Sequence, residues 1–229
     1  MRSWIRRHTD LAFIRAIAFL SAFAACSSAA LAHPHVWADM QSSVVFTDDG
    51  LIKGIDIEWT FDDNYSQVAL EGLDLDGDGL YSQTELAPLT KENMESLKDY
   101  DYFTVIRANG EQMKTGLATN AGQIWSNNRL RLHFQVPLVT PLDPKKSAFM
   151  VKVYDPEFFI AMDYVKDDPV DVVGNMPKGC NLVVKPVPTD AELDQTRSML
   201  ATKGKDWKPE VAEDFGAIFA QAVSILCTA

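Results

Sequence analysis

Arg129-Leu130-Arg131-Leu132-His133-Phe134-Gln135-Val136 alternates polar and apolar residues without a break. A period of two puts every second side chain on one face of a strand, and no helix satisfies such a segment. Other segments follow the same logic. Residues 35–46 and 51–59 flank the turn signal Asp48-Asp49-Gly50, residues 102–108 and 112–117 flank Asn109-Gly110, and residues 122–125 and 129–136 flank Ser126-Asn127-Asn128. Four more short runs, 148–154, 158–165, 170–173 and 181–184, are each bounded by Pro, Gly or Asp. Helical spacing is confined to residues 62–100 and to the tail, where Thr189 or Asp190 caps 191–201 and Pro209 opens a helix running to about residue 226. The expected class is α+β, mainly β: a single β-sandwich-like domain over residues 33–229, with a helical EF-hand-type insertion at about 62–100 and C-terminal helices.

Residues 1–32 stand apart from that domain. Arg2, Arg6 and Arg7 precede an apolar stretch, 11–25, that only Arg15 and Ser21 interrupt, and Ala30-Leu31-Ala32 offers a small-x-small cleavage site. The stretch is too short and too interrupted to span a bilayer. The expectation is a secretory signal cleaved after Ala32, a periplasmic location, and a mature chain that begins at His33 with no membrane span. Cleavage removes four of 21 basic residues and one of 32 acidic residues, leaving a balance of −14. That sign is opposite to the one nucleic acid requires, so this partner class is set aside. Cys180 and Cys227 remain, and in an oxidising compartment a disulfide is expected between them, pinning the last helix to the body.

The insertion contains Asp74-Leu75-Asp76-Gly77-Asp78-Gly79-Leu80-Tyr81-Ser82-Gln83-Thr84-Glu85, which matches the twelve-residue EF-hand calcium loop at each ligand position. Asp74, Asp76 and Asp78 occupy positions 1, 3 and 5, and Gly79 stands at the sharp turn. Leu80 offers a carbonyl, Ser82 a hydroxyl or a bound water, and Glu85 a bidentate carboxylate. Hard oxygen donors closing on one point are what Ca²⁺ requires. Ser82 and Glu85 also have the spacing of a helix capping box. Tyr65, Val68, Ala69 and Leu73 give an entering helix its apolar face, whereas Pro88 is expected to kink or end the exiting one. Tyr81 stands where a second hand would be met, and no second loop exists in the sequence. An unpaired hand belongs with extracellular modules of about 10⁻⁴–10⁻³ M affinity.

His33, His35 and His133 are the histidines left after cleavage. Together with a free amine at His33 they form a candidate site for Zn²⁺, Ni²⁺ or Cu²⁺. Pro34 has no amide hydrogen, which blocks the deprotonated-amide mode of binding at such termini. Asp62, Asp155 and Asp163 are candidate carboxylate partners. The sequence has no Gly-x-Ser-x-Gly, no phosphate-cradling glycine loop and no Cys–His nucleophile pair, so no enzymatic activity is expected.

Several of these residues occur together in a known order. The start His33-Pro34-His35-Val36-Trp37, then Trp59-Thr60-Phe61-Asp62, the acidic loop running into Glu85-Leu86-Ala87-Pro88-Leu89, Tyr100-Asp101-Tyr102-Phe103-Thr104, Tyr154-Asp155-Pro156 and Gly179-Cys180 resemble the bacterial domain of unknown function 1007 family. The resemblance implies a secreted protein, described as the periplasmic component of an uncharacterised ABC-type transport system and often found beside nickel, cobalt or zinc permeases. A chain this short and β-rich does not suit two-lobed solute capture. The expected role is therefore a metal-binding accessory of a transition-metal permease, with Ca²⁺ in the loop and Zn²⁺ or Ni²⁺ on the histidines. Two alternatives stand beside it: a calcium-stabilised β-sandwich adaptor without catalysis, and a copper oxidative enzyme that uses His33.

Overall fold

A computed structural model describes residues 34–188, 193, 194, 198, 199, 202 and 216–228. The chain runs β1 (Val36–Phe46), β2 (Ile52–Phe61), α1 (Asp63–Ala69), α2 (Gln83–Lys98), a 3₁₀ turn (Asp101–Phe103), β3 (Thr104–Ala108), β4 (Glu111–Gln112), β5 (Thr119–Ser126) and β6 (Arg129–Leu142). It continues through β7 (Phe149–Val153), β8 (Ile160–Tyr164), β9 (Val170–Val173), β10 (Cys180–Lys185), the single turn α3 (Gly216–Phe219) and β11 (Ala222–Cys227).

The strands form two sheets. The first has the order β5-β6-β2-β1-β8, with β9 also paired to β1, and the second has the order β10-β11-β7-β3-β4. Turn chemistry sets two of the hairpins. Between β1 and β2, Gly50 adopts φ +83° and its N–H donates to the Thr47 carbonyl at 3.1 Å. Between β5 and β6, Asn127 and Asn128 both have positive φ, 52° and 60°, the geometry of a two-residue turn that matches strand twist. The unforeseen feature is at the other edge of β1, where β8 and β9 both pair parallel to it, one after the other.

Alternation carries through to the core as expected. In β6, Leu130, Leu132, Phe134 and Val136 are buried, while Arg129, Arg131, His133 and Gln135 face outward. These residues join Ile55, Ile57 and Trp59 of β2 and Ile106, Phe149, Val151, Val223 and Ile225 of the second sheet in one hydrophobic cluster. The result is mainly β with two sheets, as predicted. Trp59 is fully buried and its Nε1 makes no hydrogen bond among the described residues. Its ring meets Phe134 edge-to-face at 5.0 Å and 81°, an arrangement favoured by ring quadrupoles.

The segment between β2 and β3 is helical, as expected, but Pro88 neither ends nor divides α2. Pro88 is exposed and lies in the second turn of the helix. The carbonyl it leaves unpaired belongs to Thr84, which is itself exposed, so water can reach it. Ser66, which is fully buried, ties α1 to the sheet by accepting the Leu130 N–H at 2.9 Å and donating to the Phe61 carbonyl at 3.4 Å.

The tail departs from expectation. Residues 222–227 form β11, not the end of a helix, because they pair in register with both β10 and β7 and bury Val223 and Ile225. Residues 193, 194, 198 and 199 are helical, residues 220 and 221 are in no regular element, and the other residues of the two predicted tail helices before Gly216 lie outside the described residues. Cys180 and Cys227 are directly opposite in the β10–β11 ladder and are disulfide-bonded. The bridge therefore pins a strand, not a helix. None of the described helices is long and apolar enough to cross a membrane.

The bridge closes a separation of 47 residues. The Cys180→Ser, Cys227→Ser double variant is expected to lose about 4 kcal/mol on the chain-entropy relation. Denaturant unfolding with and without reductant checks this; equal midpoints would contradict it.

Candidate functional site

The acidic loop is built from its own backbone. Asp74 folds it, accepting from the Gly77 N–H at 2.8 Å and from the Gly79 N–H at 3.0 Å. Asp76 accepts from the Asp78 N–H at 3.2 Å, and Asp78 accepts from the Leu80 N–H at 2.7 Å. Gly77 and Gly79 take φ values of 74° and 77°, which L side chains rarely adopt, so the tight turns fall where glycine stands. One carboxylate oxygen each from Asp74, Asp76 and Asp78 converge within 4.8 Å of one another. Three anions that close repel, and an oxygen-only donor set suits a hard cation, not a soft transition metal.

Glu85 is not part of that convergent group. It is buried, and one carboxylate oxygen accepts the Leu75 N–H at 2.8 Å while the other accepts the Ser82 N–H and hydroxyl, both at 2.8 Å. The Ser82 hydroxyl in turn accepts the Glu85 N–H at 3.3 Å and completes the capping box of α2. Glu85 thus closes the loop on itself. Tyr81, at the position that would meet a second hand, packs edge-to-face on Trp125 of β5 at 5.6 Å. Gln83 donates to the Gln123 carbonyl at 2.8 Å, and Thr90 donates to the Gln123 side-chain oxygen at 3.1 Å. With the fully buried Leu86, these contacts make the sheet the partner of the single loop.

His35 and His133 do not share one site. His33 lies outside the described residues. His35 is exposed just before β1, its ring 4.8 Å from that of Phe159. His133 is on the outer face of β6, opposite Glu58 of β2, which is itself opposite Gln41 of β1. Gln41 is six residues beyond His35, about 20 Å along the chain at strand rise, with β2 intervening. Metal–nitrogen bonds of about 2 Å cannot bridge that, so the fold separates His133 from His35. Two of the candidate carboxylates hold backbone instead. Asp62 caps α1 through the Tyr65 N–H at 3.0 Å and accepts the Trp37 N–H at 2.9 Å, and Asp155 accepts the N–H groups of Glu157, Phe159 and Ile160. Asp163 lies on β8 opposite Asp39 of β1.

A second feature was not anticipated from the sequence. The outer face of the first sheet holds a groove of about 690 Å³ whose lining includes Gln41, Asp56, Glu58, His133, Asp168 and Asp171. A Cβ at Gly122 would lie 2.6 Å from the His133 ring, so glycine there lets the imidazole lie along the sheet. The alternation of β2 and β6 identified Asp56, Glu58 and His133 as outward-facing, but only the register makes them neighbours.

The chain can now be compared with known families. The family model described as "Protein of unknown function (DUF1007)" matches residues 18–227. The chain belongs to that family. An uncharacterised protein of Haemophilus influenzae is 25% identical over 199 residues, 86% of this chain and 92% of that protein. An uncharacterised 15.5 kDa protein from the trpE 3′ region of Spirochaeta aurantia is 33% identical over 97 residues, 42% of this chain and 69% of its own length. The DUF1007 resemblance seen in the sequence is met at the level of the family.

Glu85 also sets a pH dependence. Hydrogen bonds from the Ser82 N–H, then the Ser82 hydroxyl, then the Leu75 N–H hold its carboxyl below the usual range. A lowered folded-state pKa means that its contribution is fully present above the unfolded value of about 4.3 and is lost as pH falls through the lower folded value. Hydrogen exchange of residues 74–98 is expected to accelerate in that acidic window, and Glu85→Gln to abolish the step. An unchanged profile would remove Glu85 as the loop's closure.

Proposed function

We propose that this DUF1007 protein is a secreted, periplasmic metal-binding accessory protein without catalytic activity, and that its 74–85 loop binds Ca²⁺. The observation that supports this most is the convergence of Asp74, Asp76 and Asp78 within 4.8 Å. They stand in a twelve-residue pattern whose closing glutamate also caps the next helix. Ca²⁺ would neutralise the three carboxylates, with Leu80 and Ser82 as further oxygen donors and Glu85 completing the set. Its effect is to hold the insertion against β5 through Tyr81, Gln83 and Thr90. At an affinity of about 10⁻⁴ M, millimolar calcium contributes only about 1.4 kcal/mol, enough to order an insertion but not to fold a domain.

Calorimetric titration is expected to give one calcium site in the wild type. Asp76→Asn should weaken it about tenfold or more through loss of ligand charge. Calcium should slow hydrogen exchange across residues 62–100 and spare the sheets. No calcium heat, or equal affinity in Asp76→Asn, would end the calcium reading.

The finer reading, a transition-metal role beside a zinc, nickel or cobalt permease, rests on the family resemblance and on an amino terminus carrying His33 and His35 alone. Exported protein is expected to begin at His33 by mass spectrometry and to bind Zn²⁺ or Ni²⁺ exchangeably. A His33→Ala, His35→Ala chain that keeps the same affinity would leave the calcium-ordered adaptor as the function.

A further inference from the structure

The groove on the outer face of the first sheet has no part in the calcium reading and stands independently of it. Its lining carries four carboxylates, Asp56, Glu58, Asp168 and Asp171, together with amide, hydroxyl and imidazole groups, and neither lysine nor arginine. Among the described residues, Glu58 is neutralised by Arg131 at 3.4 Å, and no ion pair reaches Asp56, Asp168 or Asp171. Gln135 donates to one oxygen of Asp56 at 2.6 Å and leaves the other available, and Gln41 donates to the Asp168 carbonyl at 3.3 Å.

The register spaces these charges. Asp171 on β9 and Asp56 on β2 are both opposite Ser43, on either side of β1, which puts their backbones about 10 Å apart. Glu58 is two residues beyond Asp56 on the same face, about 7 Å away. The chemistry of the lining narrows the occupant. An anion would be repelled. A single metal ion would occupy a small fraction of about 690 Å³, and among the described residues the only three acidic, histidine or cysteine groups whose ligand atoms converge are Asp74, Asp76 and Asp78. The one phenylalanine in the lining, Phe134, is buried and offers no stacking face, and the lining holds neither tyrosine nor tryptophan. A neutral polyol could donate hydrogen bonds to the carboxylates but would leave their charge uncompensated.

We propose that this groove binds a linear aliphatic polyamine. Its separated ammonium groups are seated on Asp56, Asp168 and Asp171, and its methylene chain runs between them across the outer face of β1. Gln41 and His133 supply further hydrogen-bonding groups at the β2–β6 side.

The test titrates spermidine into the full mature protein at physiological salt and saturating calcium. It is read by calorimetry and by amide chemical shifts, with hexane-1,6-diol as the uncharged control. One saturable site is expected, with shifts on β1, β2, β6 and β9 and none in the 74–85 loop, and the diol is expected not to bind. Asp56→Asn with Asp171→Asn should weaken spermidine about tenfold and leave calcium affinity unchanged. Asp76→Asn should do the reverse. The proposal is overturned by absence of saturable binding, by shifts confined to the 74–85 loop, by equal binding of the diol, or by affinity that the double variant does not alter. The wild-type shift map decides the location even where a variant fails to fold.

Discussion

The register of β2 between β1 and β6 fixes both the interior of this protein and its outer surface. Trp59 is opposite Met40 and Leu132, all three buried, while the adjacent Glu58 is opposite Gln41 and His133, all outward. A slip of one residue exchanges the two faces, placing a carboxylate in the core and an indole in water. Burial of an aromatic side chain this large is worth roughly 5 kcal/mol, and an unpaired buried carboxylate costs several more, so the alternative register is not competitive. The same choice that packs the core therefore assembles the groove. No separate interaction is needed to bring Asp56, Glu58 and His133 together.

The insertion depends on a smaller node of the same kind. Glu85 combines helix capping with loop closure, since its two oxygens take N–H groups from Leu75 and Ser82. Next to it, Leu86 is fully buried and anchors the start of α2 in the core. A loop of three convergent aspartates is repulsive on its own. What holds it in shape is the set of backbone amides that each carboxylate accepts, together with the docking of Tyr81 on Trp125. The acidic loop is docked on the sheet through Tyr81.

Local patterns were legible in the sequence, and long-range pairing was not. The alternation of residues 129–136, the Asp48-Asp49-Gly50 and Asn127-Asn128 turns, the helical nature of the insertion and the Ser82–Glu85 capping box all follow from neighbouring residues. Misreadings arose where the deciding contact is distant. Residues 222–227 resemble a helix terminus until β7 and β10 pair with them, and Pro88 reads as a helix breaker unless Thr84 is known to be exposed. The histidines are the clearest case. His35 and His133 share a chemistry, but what separates them is β2 lying between β1 and β6, together with the offset of His35 along β1 from the residue in register with His133. Alternation tells which face a residue takes; it does not tell which strand is next door.

The loop and the groove meet at one strand. In β5, Gln123 is fully buried and holds α2 through its carbonyl and side-chain oxygens, while its neighbour Gly122 faces outward beneath the His133 ring. Ordering of α2 therefore fixes the strand on which one wall of the groove rests. The size of any coupling is bounded. A cation held in the loop with about 10⁻⁴ M affinity would deliver about 1.4 kcal/mol at millimolar concentration, so it would shift affinity at the groove by no more than about tenfold, and an occupant of the groove would shift the cation's affinity by the same factor. The insertion meets the groove's strands at β5, through Gln123, and at the start of β6, through Leu130, while β2, β1 and β9 are held by ladders that do not touch the 74–85 loop. Most of the groove is thus set by the fold itself, and the insertion bears on it only from behind, through Gln123 of β5 and through the Ser66–Leu130 contact at β6.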